Sequence, residues 1–571
     1  MSSTTATELQ ESPRRSWWRA VLAAAVPAAV YLAVATHEIT LPALYMDEHV
    51  WVPQTITFIH PGHPYQPAGG TGPTFGYHLH QMPVMTMDYV GTVKSILYVP
   101  VWLAFGGWPF GLRFLTIGLA LLGLAATFLL VRRLIDVPTA TVAITLLALD
   151  PTFVFYTRTD FGPLSSAFFL KTLALWQFAT WWEGGRRRHL ALGALAFGIG
   201  TWDKTNFLWI VAGSAIAIAV LAPRGLWQRL GVAGLLTGAG AYLLGALPLI
   251  VFNLNWPPRT WLAETGSATA GDSPSLWARL LERLHSLSDA LTGLPPEQLF
   301  GLPHDHSLLV TTVVGLSVIV VLAWAILDRA WPARGAAAFF VVSCALTIVA
   351  AAATRGGFAV HHIILTYPLP HVIAAIFLVR AGRWLTDRVR LRASWALAAT
   401  ALLVAPLLAV DTVTIGRDFA DLDATGGRGN WSDAIYRLDG GLSARGAYGT
   451  TPVISVDWGT DLPLVALSRG RCTCYDVWPI FATQPPDSAQ IHNLLAEPGA
   501  VFVLHSTDTT TFPVVRATFF AAAAHFGVAL QRSAIYYTRD GKPDLELWSV
   551  LGTPRLGLSG VVQLSPGQEA P

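Results

Sequence analysis

Apolar residues along this chain gather into runs close to the 20 residues that carry a helix across a bilayer. Eleven runs are read, at 17–37, 111–131, 138–156, 164–182, 190–202, 207–221, 231–252, 307–327, 335–353, 360–379 and 393–410. The fifth holds 13 residues, roughly 20 Å at helical rise, and is short for a full crossing. Its place is argued from its flanks. Arginines stand before the fifth run and after the sixth, so the two form a hairpin that turns at Asp203-Lys204-Thr205-Asn206.

Alternate loops collect the basic residues: Arg132 and Arg133, then Arg186 to Arg188, Arg224 with Arg229, Arg329 with Arg334, and Arg380 to Arg392. By the positive-inside rule these loops and the 1–16 tail face the cytoplasm, and an odd number of spans leaves the C-terminus outside. Two outer loops are large, 38–110 and 253–306. The first holds a Pro- and Gly-rich stretch at 61–73, read as an irregular lid-like loop, and an apolar run at 93–105 placed in the interface plane. In the second, the apolar spacing of 275–291 predicts a surface helix.

Beyond Asp411 the pattern changes. Helical text at 431–444, 488–495 and 512–524 alternates with strand text at 452–457 and 500–505, and 527–537 with 545–550 reads as a hairpin. The expected organisation is therefore a cytoplasmic tail (1–16), a transmembrane domain (17–410) and an extracytoplasmic α/β domain (411–571), the last large enough for its own core. The tip at 565–571 is expected to fray.

Composition agrees with a polytopic membrane protein: 53% of residues are hydrophobic and 13% charged. The formal net charge of +2 points to no nucleic-acid partner. The first run follows Arg14, Arg15 and Arg19 but has no clear small-residue cleavage site, so it is read as an uncleaved span. Three cysteines form no disulfide framework. Cys344 reads as helix packing, whereas Cys472 and Cys474 could pair in the outer domain.

The candidate chemistry lies at the outer ends of spans. Asp47 and Glu48 stand side by side after the first run, where unpartnered carboxylates near hydrocarbon are costly. Lys94, Asp150-Pro151, Arg158, Asp160, Asp203-Lys204, Arg355 and His361-His362 fall on the same side by topology. Each also has a plain structural reading. Asp150 can cap a helix, Arg158 can pair with Asp160, Asp203 with Lys204, and the histidines can bond carbonyls. Lys171, inside the fourth run, can snorkel or pair internally and is kept out of the site.

As a set these residues resemble polytopic glycosyltransferases of the C-type fold. That group includes protein O-mannosyltransferases and lipid A aminoarabinose transferases, the glycosyltransferase 39/83-like families. The likeness rests on Tyr45-Met46-Asp47-Glu48-His49, Tyr89 to Ser95, Arg113, Arg158 to Leu164, Lys204-Thr205, and His361-His362 with Tyr367-Pro368, and covers 17–410. It implies an α-helical membrane protein of about 11 helices with a soluble α/β domain, in the plasma membrane. It also implies transfer of a hexose or pentose from a polyprenyl-phosphate donor to a glycan, lipid or protein acceptor. Asp47 is then the expected base, with Glu48 second. Asp160 orients a sugar hydroxyl or a cation. Lys94, Arg158, Lys204, Arg355, His361 and His362 are expected on the donor phosphate. A single displacement predicts inversion.

A divalent cation at Asp47 or Glu48 is compatible with such a fold, yet the first loop lacks a D-x-D pair. Its histidines His49, His60, His63, His78 and His80 have spacings that bind zinc only if the loop gathers them. Asp421-Leu422-Asp423 reads as solvated turn. The rival reading is a transporter or flippase for a lipid or lipid-linked sugar, which calls for related halves and mid-membrane polar residues.

Overall fold

A computed structural model describes residues 13–61, 71–265, 274–355, 358–390, 392 and 395–551. Every one of the eleven apolar runs falls on a helix or a helix pair. Four helices are long and apolar enough to cross a bilayer alone: Gly111–Leu134, Leu309–Leu327, Arg334–Ala353 and Trp395–Thr425. Three bent pairs raise the count to as many as seven among the described residues. They are Val137–Ala148 with Pro151–Thr159 (66°), Thr205–Leu221 with Pro223–Gly245 (115°), and Val360–Thr366 with Leu369–Arg388 (50°). The expected eleven stand as eleven helical runs that give four spans by length and hydropathy, or up to seven if each bent pair is one span, the second pair joining the runs at 207–221 and 231–252.

Of the others, Leu164–Gly184 has the length but carries Lys171 and Gln177 in its interior. The helix Arg187–Asp203 has 17 residues rather than the expected 13; it starts on arginine and ends on aspartate. It is held by close backbone approach: a Cβ on Gly198 would lie 2.2 Å from the Tyr242 carbonyl oxygen, and one on Gly245 2.5 Å from that of Leu195. The last membrane helix runs on to Thr425, well past 410, burying Asp411, Asp418 and Asp421 on the way.

The large loop at 38–110 contains strands the sequence pattern did not reveal. β1 (Thr71–Tyr77), β2 (His80–Met87) and β3 (Val90–Gly91) form a small antiparallel sheet. Prolines and glycines mask the alternation there. Most of the 61–73 stretch expected to be a lid lies outside the described residues, as do the first twelve residues and the 565–571 tip. The apolar run at 93–105 is the helix Val93–Ala104, and the predicted surface helix is Leu276–Thr292.

The C-terminal domain is an α/β sheet. It contains β4 (Pro452–Ser455), β5 (Thr473–Asp476), β6 (Val501–His505), β7 (Leu530–Tyr537) and β8 (Pro543–Val550), in the order β5-β4-β6-β8-β7. β4 runs parallel to both neighbours, while β8 is antiparallel to β6 and β7. The predicted strands and hairpin are present. β5 and the short helices Asp461–Leu467 and Trp478–Thr483 have too few residues to show a period. Cys472 and Cys474, at β5, are joined in a disulfide.

One hydrophobic core unites this domain with the first loop: Ala43, Leu44, Val50 and Trp51 share it with Ile435, Leu438, Val465 and Val503. The segment 44–52 is therefore set by the soluble domain as much as by the membrane helices.

Candidate active site

Asp47 and Glu48 share the one-turn helix Met46–His49, which follows Tyr45 in extended conformation. Consecutive residues on a helix diverge by about 100°, so the two carboxylates take different surroundings. Glu48 is buried at 1% exposure. It accepts two hydrogen bonds from Arg113, Nε to Oε1 at 2.6 Å and Nη2 to Oε2 at 2.8 Å. Arg113 also donates to the Ile39 carbonyl at 2.6 Å. Arg158 works beside it, its Nη2 donating to the carbonyls of Glu38 (2.6 Å) and Leu41 (2.7 Å). Two buried guanidiniums thereby tie down the turn that leads from the first membrane helix to the acidic pair.

Lys94 and Asp160 form a second fully buried unit. Their side chains pair directly, and the ammonium sits 3.2 Å from the centre of the Trp51 ring. Asp160 has φ +48°, in the left-handed region, at the end of the helix Pro151–Thr159. There its Oδ1 accepts from the Ser165 amide at 2.8 Å, starting the next helix. Asp203 lies within the field of Lys94 and accepts from Ser166 Oγ at 2.5 Å.

Asp47 is different: it is half-buried and has no arginine clamp. Burial pushes its carboxyl up to about 6, against the opposing pull of Lys204, the Tyr45 hydroxyl and Lys94. A carboxylate held near neutrality suits a general base. Lys204 also lines a cavity of about 170 Å³, together with Asn206, Trp209, Arg283, Phe358 and His362. Gly162, at φ +77°, lets Lys204 approach; a Cβ there would stand 3.3 Å from Nζ. The cavity carries the cations Lys204 and Arg283, the latter with Nη1 2.7 Å from Glu282 Oε2, and the His362 imidazole, groups of the kind that hold a phosphate, while the Trp209 indole N–H donates to Thr354 Oγ1.

The expected site residues therefore separate. Lys204 and His362 line this space, and Asp47 lies within the field of Lys204. Lys94 and Asp160 bind each other, and Arg158 binds backbone rather than its neighbour Asp160. His361 lies against Phe161 and His362, with ring centres at 4.6 and 4.1 Å. Arg355 is exposed at the end of Arg334–Ala353. Asp150 caps its helix, accepting from the Phe153 amide at 2.6 Å, and Lys171 donates to the Leu365 carbonyl at 2.6 Å.

Arg283 is the residue the sequence reading missed. It is 2% exposed, with its guanidinium 3.6 Å from the centre of the Phe358 ring. The signal was present: Arg283 occupies the same helix face as Ser286, Leu287 and Ala290, all buried. A charged residue on the apolar face of an amphipathic helix needs a reason.

Among the described residues no three His, Cys, Asp or Glu side chains form a group able to hold a metal ion. His49 Nδ1 lies 3.1 Å from the Tyr45 carbonyl and His80 Nδ1 2.6 Å from that of Phe58; His63 lies outside the described residues. Asp421, expected in a solvated turn, is buried and accepts from the Leu302 amide at 2.7 Å, while Asp423 is exposed. The long reach of the last membrane helix puts Asp421 against the second outer loop.

Two solved structures share this architecture. One is ArnT from Cupriavidus metallidurans bound to undecaprenyl phosphate, with a TM-score of 0.56 and 14% identity over 92% of this chain and 97% of that one. The other is the archaeal oligosaccharyltransferase AglB from Archaeoglobus fulgidus, in complex with an inhibitory peptide and a dolichol-phosphate. Its TM-score is 0.51, at 11% identity over 90% of this chain and 71% of that one. No family profile and no curated protein sequence matches the chain. At these identities what is shared is the fold, the C-type glycosyltransferase architecture.

Proposed function

We propose that this chain is an integral membrane glycosyltransferase. It moves a hexosyl or pentosyl unit from a polyprenyl-phosphate donor to a hydroxyl acceptor at the outer membrane face, with inversion. The observation that carries the reading is that Asp47, an unclamped carboxylate raised to about 6, lies within the field of Lys204, which in turn lines a cavity with Arg283 and His362. The fold shared with structures that hold undecaprenyl phosphate and dolichol-phosphate supports the donor class.

In this mechanism the acceptor oxygen attacks the anomeric carbon as its proton passes to Asp47. The bond between that carbon and the phosphate oxygen breaks, and the new charge on the leaving lipid phosphate is met by Lys204, Arg283 and His362. Glu48, Arg113 and Arg158 hold the Asp47 turn in place, and the Lys94–Asp160 pair supplies a fixed field behind it.

The test is a transfer assay with purified protein in vesicles and a panel of radiolabelled polyprenyl-phosphate sugars. Label should move to an acceptor or to water with wild type. The Asp47→Asn enzyme should lose transfer by at least about 100-fold. Near-wild-type transfer by that variant would overturn the assignment, and lipid flipping without transfer from any donor would favour the transporter.

A further inference from the structure

The C-terminal domain carries a second concentration of chemistry that the transfer reaction leaves unused. The chain leaves β4 towards β5 on one side and, after β5, returns across β4 to β6 on the other. The carboxyl ends of β4 and β6 therefore flank a topological switch point, the place where open α/β sheets bind their ligands. Asp457 follows β4 and His505 ends β6. Both are about 2% exposed, and His505 Nδ1 lies 3.4 Å from Asp457 Oδ2 without hydrogen-bond geometry. Asp461 opens the next helix and Asp476 ends β5.

Four polar atoms here, Asp457 Oδ2, Asp461 Oδ1, Asp476 Oδ1 and His505 Nδ1, are buried without a hydrogen-bond partner. Burial and the neighbouring Asp461 and Asp457 carboxylates push Asp476 up to about 8, and burial pushes Asp461 up to about 6. Asp457 and His505 face each other as an ion pair, while Asp461 Oδ1 and Asp476 Oδ1 are left without a partner and call for one from outside the protein.

Aromatic rings lead from this crevice towards the catalytic turn. Trp478 stacks on Phe512 (4.8 Å between centres, 9° between planes), Phe512 approaches Trp458 (6.4 Å), and Trp458 meets Tyr45 edge-on at 5.5 Å. Tyr45 shares a hydrogen bond with Asp47. The helix Asp461–Leu467 also packs on Met46–His49, so crevice and catalytic turn are neighbours. Aromatic rings beside carboxyl groups that lack protein partners match one ligand chemistry, a saccharide with a ring face on the aromatics and its hydroxyls exchanging hydrogen bonds with the acids.

We infer that the crevice at the carboxyl ends of β4 and β6 binds an oligosaccharide acceptor and presents its terminal hydroxyl to Asp47. This rests on the glycosyltransferase reading and gives it an acceptor class.

The experiment uses full-length protein in detergent. Binding of fluorescein-labelled mannan, glucan and galactan oligosaccharides is followed by anisotropy, and binding of undecaprenyl phosphate is measured on the same samples. At least one oligosaccharide should bind. Trp478→Ala and Asp461→Asn should each weaken it, roughly tenfold for the tryptophan, with lipid-phosphate affinity unchanged. Phe512→Leu, which keeps an apolar side chain and removes the ring, gives a milder check should Trp478→Ala unfold the domain. The inference is overturned if none of the saccharides binds, if binding is indifferent to these variants, or if peptides are the ligands these variants release. Loss of lipid-phosphate binding in Lys204→Met with saccharide binding intact assigns the lipid to the cavity alone. Wild type that binds saccharide but no lipid phosphate defeats the donor reading and leaves the crevice standing.

Discussion

The two sides of the short helix Met46–His49 carry similar residues and do opposite things. On the inner side, Glu48, Arg113 and Arg158 are buried, and Glu48 and Arg113 meet in paired short hydrogen bonds. On the outer side, Asp47 is half-buried beside Lys204 and has no guanidinium of its own. A carboxylate clamped by a guanidinium holds a turn; one without such a clamp is available to a substrate. The cavity at Lys204 and the β4–β6 crevice differ in the sign of their lining, cationic side chains in one and carboxyl groups in the other.

Breaking the outer side gives the largest effect. Asp47→Asn should lower transfer by about 10²–10⁴-fold and yet raise thermal stability at pH 8. The sign follows from the raised carboxyl: the ionised form is disfavoured in the folded state, so its penalty is present above about pH 6 and gone below the ordinary carboxylate range. A thermal melt at pH 8 and pH 5 checks this, with the gap between variant and wild type closing at the lower pH.

Breaking the inner side should act on folding instead. Arg113→Met leaves Glu48 as a buried unpaired charge, at about 3–5 kcal/mol, seen as a lower Tm and poor recovery from the membrane. Glu48→Gln with Arg113→Met should recover part of that loss, because the unpaired carboxylate is gone while Arg158 keeps its bonds to the Glu38 and Leu41 carbonyls. In the cavity, Arg283→Met or Lys204→Met should weaken lipid-phosphate binding by about 1.5–3 kcal/mol, measured by titration with undecaprenyl phosphate, with smaller changes in Tm. The pH profile sharpens the comparison further: kcat/KM should fall on the acid side with a midpoint near 6, and Glu48→Gln should leave that limb in place. The smallest effect is Gly162→Ala. A side chain in the left-handed region there costs about 1 kcal/mol and crowds Lys204, and lipid titration should show a few-fold loss.

Much of this was legible in the chain. Asp150 as a cap, Lys171 bonded internally, and the helices at 93–105 and 275–291 follow from local spacing, and all four are present. The loop strands and β5 were not legible, since two to eight residues broken by proline and glycine leave little alternation to detect. Arg283 had a signal in its helix face, but no spacing could join it to Lys204.

By itself the sequence determined the apolar runs, the basic loops between them, and a small set of charged residues at the span ends, because periodicity and charge alternation are properties of neighbours in the chain. Only the tertiary structure decided which of two adjacent carboxylates stays unclamped. Their surroundings come from Arg113, Lys204 and a core shared with the C-terminal domain, over separations of 65 residues for Glu48 and Arg113 and far more for Ile435 and Val503. Which charges are neutralised is a matter of packing, and packing joins residues that no local pattern relates.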